Sequence, residues 1–200
     1  MKSILLVDDH KIVRVAVKMI IKEMLPDAFI AEADDADAAL AAVKKRDYDV
    51  IVLDMNLGRE NFSQLLSSIR QICFTARILI FTQNNPSIYA RHMLKLGANG
   101  YLHKNAEDTE IKAALTAILE GKSYLPADAD NSDTPFSMLS QKEFDIMILI
   151  AKGAWLTEIA DLLKIQVSTV ATHQRNIFWK LNVKSKADLT KLALYYDLWI

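Results

Sequence analysis

The sequence predicts an α/β protein, a doubly wound five-stranded parallel sheet followed by a small all-helical domain. Three observations carry this expectation. Apolar runs of strand length alternate with amphipathic stretches of helical length up to Gly121. Between Gly121 and Pro135 the composition turns to Asp, Ser, Asn and Pro, without apolar periodicity. Beyond that segment the apolar residues recur only at helical spacing.

The strand candidates are residues 4–7, 29–31, 50–53 and 78–81, with a weaker fifth at 100–102. Segments such as 12–25, 36–46 and 88–96 read as helices between them. Continuously apolar strands alternating with helices require a parallel sheet covered on both faces, and a five-fold repeat of this length has the size of a flavodoxin-like domain. That domain is assigned to residues 1–122. Gly121 sits where a left-handed helix cap is expected. Residues 123–137, net negative through Asp128, Asp130 and Asp133, read as a solvated linker. Residues 138–200 read as four short helices. Ser140-Gln141-Lys142-Glu143 and Ser185-Lys186-Ala187-Asp188 look like capping boxes. The apolar stripes are Phe144, Met147, Ile148 and Ala151; Leu156, Ile159, Ala160 and Leu163; Val170, His173, Ile177 and Leu181; and Leu189, Leu192, Ala193 and Tyr196. Such a bundle could carry a helix-turn-helix.

Composition narrows the class. The 52% hydrophobic and 24% charged residues are those of a soluble globular chain, and a net charge of −1 leaves no global basic signal. Cys73 stands alone, so an internal disulfide is excluded. The apolar run after Met1-Lys2-Ser3 stops at Asp8-Asp9, too short for a signal-peptide core, and no stretch approaches a membrane span. A cytoplasmic protein with no membrane partner is expected.

Ligands of doubly wound sheets bind at the carboxyl ends of the strands. Asp8 and Asp9 end the first strand candidate, Asp54 the third and Thr82 the fourth, and Lys104 follows the fifth. Carboxylates gathered within ~5 Å repel by about 3 kcal/mol per pair at an effective dielectric of ~20, a cost that a divalent cation such as Mg²⁺ offsets. Such a site can receive a phosphoryl group, with Asp54 as nucleophile, Lys104 as a second cation and Thr82 as hydroxyl donor. Each residue alone has an ordinary reading: Asp8 and Asp9 as helix caps, Asp54 as a solvated loop residue, Thr82 and Lys104 as surface detail. Their joint placement at successive strand ends favours the site.

The segments Leu5-Leu6-Val7-Asp8-Asp9-His10, Val52-Leu53-Asp54-Met55-Asn56, Phe81-Thr82 and Gly97-Ala98-Asn99-Gly100-Tyr101-Leu102-His103-Lys104 resemble the signatures of response-regulator receivers. The resemblance implies Asp54 as phosphoacceptor, Asp9 and Asp54 as direct Mg²⁺ ligands, Asp8 acting through water, and the Asn56 main-chain carbonyl completing the site. It also implies Thr82 and Tyr101 as the switch pair; otherwise Tyr101 is a half-buried aromatic. Family members usually carry proline four residues after the phosphoacceptor and glycine four beyond that, where this chain has Gly58 and Phe62. This departure concerns phosphate access and the dephosphorylation rate rather than the chemistry.

Leu139-Ser140, Glu143, Gly153, Glu158-Ile159-Ala160, Leu163, Thr169-Val170, His173, Asn176-Ile177 and Lys180-Leu181-Asn182-Val183 resemble the LuxR-type module of the NarL/FixJ class. The resemblance places a helix from about Val167 to Leu181 in the DNA major groove. Its outer face presents Ser168, Ala171, Thr172 and Arg175, with Thr169 beside them, to bases and phosphates; the plain alternative is a solvated surface. Ala171 stands where lysine is usual, and from Leu139 onward 8 Lys and Arg face 6 Asp and Glu. So thin a charge makes monomeric binding weak, and a homodimer on phosphorylation is expected. Trp155 replaces a hydroxyl cap and is expected to bury its ring, either locally or against the receiver or a second subunit.

The resulting expectation is a phosphorylation-controlled transcriptional regulator, not an enzyme, whose partners are a sensor histidine kinase and double-stranded DNA. A haloacid-dehalogenase-type phosphatase needs a second Asp two residues after its nucleophile, where this chain has Asn56. A partner-binding regulator with weak or no DNA binding is the other alternative.

Overall fold

The apolar runs form strands β1 (Ser3–Val7), β2 (Phe29–Ala33), β3 (Val50–Leu53), β4 (Arg77–Thr82) and β5 (Gly100–His103), paired in parallel in the order β2-β1-β3-β4-β5. The computed structural model describes residues 1–57, 62–130, 134–196 and 198, in two units, Met1–Asp130 and Asn131–Ile200. Helices α1 (Lys11–Met24), α2 (Ala36–Lys45), α3 (Phe62–Ile72), α4 (Pro86–Lys95) and α5 (Asp108–Leu119) alternate with the strands. Ile4, Leu6, Val50, Val52, Leu79, Phe81 and Leu102 form one core with Val17, Ile20 and Ile21 of α1 and Ile111, Leu115 and Ile118 of α5. The alternate residues Leu5, Ile51, Leu53, Ile78 and Ile80 are buried too, and strand alternation turns them to the other face. Burial on both faces explains why these strands read as unbroken apolar runs.

Local signals start the helices. The Asp35 carboxylate accepts from the Ala38 amide at 2.7 Å, and Asn85 accepts from Ser87 at 3.0 Å ahead of Pro86. Phe62, one of the departures noted above, opens α3. Gly58 lies outside the described residues.

The expectation of a solvated linker over residues 123–137 is corrected at both ends, since Phe136 is fully buried in the second unit and the first residues dock on the sheet. Tyr124 pairs with the free edge of β5, donating to the Asn99 carbonyl at 3.1 Å and accepting from the Tyr101 amide at 2.9 Å. A single 3-10 turn, Ala127–Asp130, packs on α4 and leaves Ala129 1% exposed. An edge strand offers unpaired backbone groups, and this segment satisfies them without apolar periodicity. Gly100 permits the approach, since a Cβ there would stand 3.1 Å from the Tyr124 carbonyl oxygen. Asp133 lies outside the described residues.

The second unit contains α6 (Gln141–Ala151), α7 (Leu156–Leu163), α8 (Val167–Lys180) and α9 (Lys186–Tyr195). Phe144, Met147, Ile150, Ile159, Leu163, Val170, Ile177, Leu189 and Ala193 fill its core, and Phe136 meets Tyr196 edge-on at 5.3 Å. Ile148, expected in the α6 stripe, is half-buried while Ile146 and Ile150 are buried, because the core covers more than one face of this helix. Ser140 and Glu143 form the expected reciprocal cap, at 3.3 and 2.8 Å. The second box is only half made. Ser185 caps the Asp188 amide at 3.1 Å, but the Asp188 carboxylate accepts from the Ser185 hydroxyl and the Lys184 amide. Aspartate is one methylene shorter than the glutamate that serves as N3 partner in a full box. Among the described residues no helix is long and apolar enough to cross a membrane.

Candidate functional site

Strand register builds the first site. Val7 pairs with Leu53, so Asp8 and Asp54, each one residue further, emerge side by side; the Asp54 amide donates to the Val7 carbonyl at 2.8 Å. The chain turns from β1 toward β2 on one side and β3 on the other, which makes this edge the switch point where doubly wound sheets open a crevice. Thr82 pairs with His103, and Lys104 follows one residue later. Because β4 separates β3 from β5, a cation on β5 must span about 10 Å of sheet to reach Asp54. The Lys104 side chain does so: its Nζ lies 2.7 Å from Asp54 Oδ2 and 2.7 Å from Asp8 Oδ2.

Asp54, Asp8 and Thr82 are buried, whereas Asp9 is exposed at the rim. Burial by itself depresses the Lys104 ammonium, but hydrogen bonds and charge from Asp54 and Asp8 outweigh it and hold its pKa above the usual lysine range. Ligand atoms of Asp8, Asp9, His10 and Asp54 all lie within 4.8 Å of one another. Asp54 Oδ1 is buried without a hydrogen-bond partner among the described residues. An unsatisfied buried carboxylate oxygen is costly, and a hard cation bound by oxygen donors would satisfy it, so this donor set fits Mg²⁺. Asn56 is half-buried on the loop leaving β3.

Thr82 and Tyr101 lie on the sheet face opposite α1 and α5, and both are fully buried. Tyr101 is therefore not the half-buried aromatic of the plain reading. Its hydroxyl donates to the Asn84 carbonyl at 2.9 Å, while the Asn84 amide donates to Thr82 Oγ1 at 3.5 Å. Asn84 thus links the two, and sequence reading missed it. The signal was its position, two residues beyond a strand-end threonine in a ligand-facing loop. His10 also reaches this cluster, with its Nδ1 2.6 Å from Asp9 Oδ1.

In the second unit, the turn between α7 and α8 passes through Lys164 at φ 53° and ψ 46°. Ile165 donates back to the Ala160 carbonyl at 3.0 Å, closing the helix end. The Glu143 carboxylate receives Lys180 Nζ at 2.6 Å and so ties the end of α8 to the start of α6. Ser168, Thr169, Ala171, Thr172 and Arg175 are all exposed on α8. The Thr172 hydroxyl donates to the Ser168 carbonyl at 3.0 Å and keeps its oxygen free to accept.

The Trp155 ring is not buried within its own helix bundle. It is 70% exposed at the start of α7, with Lys186 Nζ 5.4 Å from its ring centroid. Its side chain makes no cap; instead Glu158 accepts from the Trp155 amide at 2.7 Å. This backbone-directed bond supplies half of a capping box whatever the first residue is, so the ring need not be buried to complete the helix end.

Residues 4–116 match the family described as response regulator receiver domain, and residues 137–193 match bacterial regulatory proteins, luxR family. The oxygen regulatory protein NreC of Staphylococcus epidermidis is 32% identical over 96% of both chains. The response regulator UvrY of Escherichia coli is 27% identical, over 99% of this chain and 96% of its own. A solved structure of RcsB from Salmonella enterica serovar Typhimurium shares the fold, with a TM-score of 0.76 at 24% identity over 96% of this chain and 98% of that one. The chain belongs to the response regulators of the NarL/FixJ class, in which a receiver domain precedes a LuxR-type helix-turn-helix.

Proposed function

We propose that the protein is a cytoplasmic transcriptional regulator whose DNA binding is controlled by phosphorylation of Asp54. The observation that carries this is the convergence of Asp8, Asp9 and Asp54 with Lys104 at the sheet switch point, around a buried Asp54 Oδ1 that has no partner among the described residues. Lys104 holds Oδ2 and orients the carboxylate. An Asp54 oxygen attacks the phosphorus of a phosphohistidine on a sensor kinase; the P–O bond forms as the P–N bond breaks, and the imidazole leaves. Asp9 and Asp54 would hold Mg²⁺ directly, Asp8 through water, with the Asn56 carbonyl completing the set. When bound, the ion neutralises charge on the phosphoryl oxygens. Lys104 turns its ammonium to one phosphoryl oxygen and the Thr82 hydroxyl donates to another. The movement of Thr82 draws on Asn84 and hence on the Tyr101 hydroxyl, which couples the acyl phosphate to dimerisation.

The output is DNA binding through Ser168, Thr169, Ala171, Thr172 and Arg175. RcsB, of the same architecture, has been solved bound to a promoter in the presence of phosphomimetic BeF3⁻. Arg175 is the one cation among these five residues and alanine stands at position 171, so monomer affinity is modest and the homodimer supplies the rest. Acetyl phosphate with Mg²⁺ is expected to label the protein at Asp54 alone. Equal labelling of Asp54→Asn would remove the assignment. Labelled protein should bind its operator about 5- to 150-fold more tightly, the usual range of such coupling. Equal affinity of the two forms would leave a partner-binding regulator as the better reading.

A further inference from the structure

Trp179 is the most exposed tryptophan of the described residues, at 81%. It lies on α8 in phase with the candidate DNA face. At 100° per residue, Thr172, Arg175 and Trp179 stand at about +40°, −20° and +20° from Ser168 around the helix. The buried stripe of Val170, Ile177 and Leu181 lies on the opposite side, at about 180–220°. Trp179 therefore continues the row of Ser168, Thr172 and Arg175, and no Asp or Glu occurs anywhere in α8.

We infer that Trp179 is a DNA-contact residue that packs on the sugar–phosphate strand bordering the major groove and donates its indole N–H to a phosphate oxygen. The inference rests on the DNA-binding reading and names a contact beyond it. Trp179 lies about 16 Å along the axis from Ser168 and about 6 Å from Arg175. The major groove is only about 12 Å wide, so a helix seated by its first turns carries Trp179 out to the groove edge, where backbone replaces bases. An indole suits that place, with an apolar face for deoxyribose and one donor for phosphate. Such a contact adds affinity without a cation, on a helix that has alanine at position 171 and whose Lys180 is engaged by Glu143. Contact with backbone alone carries no sequence information.

The test is a salt titration of the full chain with a random-sequence duplex, read by mobility shift and tryptophan emission. Trp179→Ala should weaken binding about tenfold with the salt slope unchanged, whereas Arg175→Ala should flatten the slope by about 0.9. Trp179→Lys should recover affinity at low salt and steepen the slope by about 0.9. Part of the emission change on adding duplex should vanish in Trp179→Phe. Wild-type binding with an indifferent Trp179→Ala variant, and emission changes equal in wild type and Trp179→Phe, overturn the assignment alone. A Trp179→Ala variant that loses self-association in the absence of DNA also overturns it, and makes the ring a protein contact. Wild-type protein that binds no duplex at any salt concentration overturns the DNA-binding reading itself.

Discussion

Removing the Lys104 ammonium tests the electrostatic design of the proposed phosphoacceptor site. Lys104→Met keeps most of the side-chain volume and deletes one charge, which lies 2.7 Å from each of two carboxylates. Its side chain is 6% exposed, so solvent screens these contacts little. With Asp8 and Asp54 ligand atoms no more than 4.8 Å apart, their bare repulsion is about 3.5 kcal/mol at an effective dielectric of ~20. Two charge-assisted hydrogen bonds are lost as well, and breaking a buried ion pair from one side costs about 3–5 kcal/mol in all. For a unit the size of Met1–Asp130 this lowers Tm by about 10–20 °C. The assay is calorimetry of the full chain in EDTA and in Mg²⁺. All three tryptophans, Trp155, Trp179 and Trp199, fall in the second unit, so the receiver transition is the one silent in tryptophan emission. Mg²⁺ should raise the receiver Tm of the variant more than that of wild type, since it supplies the missing cation. A variant as stable as wild type in EDTA, or less responsive to Mg²⁺, would refute the argument.

Two further outcomes follow from contacts outside that site. Lys180→Met should destabilise the helix-turn-helix unit by about 1.5–3 kcal/mol at neutral pH, read by tryptophan emission during urea unfolding. Burial alone would raise the Glu143 pKa, but Lys180 and Ser140 outweigh it and hold it below 4.5, so this stability is full above pH 4.5 and disappears as pH falls through the lower folded value. A difference between variant and wild type that persists in acid would place the loss in packing rather than charge. Gly100→Ala should destabilise the receiver by about 1–3 kcal/mol and release the 123–130 segment, because the added Cβ meets Leu79 and Ile118 at 3.0 Å and the Tyr124 carbonyl at 3.1 Å. Unchanged hydrogen-exchange protection of the Tyr124 amide would show that the strands absorb the methyl without giving up that pairing.

The sequence by itself determined what repeats or clusters along the chain. Unbroken apolar runs marked strands buried on both faces, helical stripes marked α7 to α9, and carboxylates at strand ends marked the acidic cluster of Asp8, Asp9 and Asp54. Each of these follows from local covalent geometry, with a period of 2 for a strand and 3.6 for a helix, together with the rule that parallel strands present one end to ligand. Tertiary structure alone decided what depends on pairing between distant segments. The Lys104 reach across β4, the Asn84 link between Thr82 and Tyr101, the Glu143–Lys180 tie and the docking of Tyr124 on β5 join residues with no common local pattern. Trp155 and Trp179 show the same division. Hydrophobicity favours burial of both, yet both are exposed, because whether a large ring is buried depends on which neighbours the bundle has left to cover it.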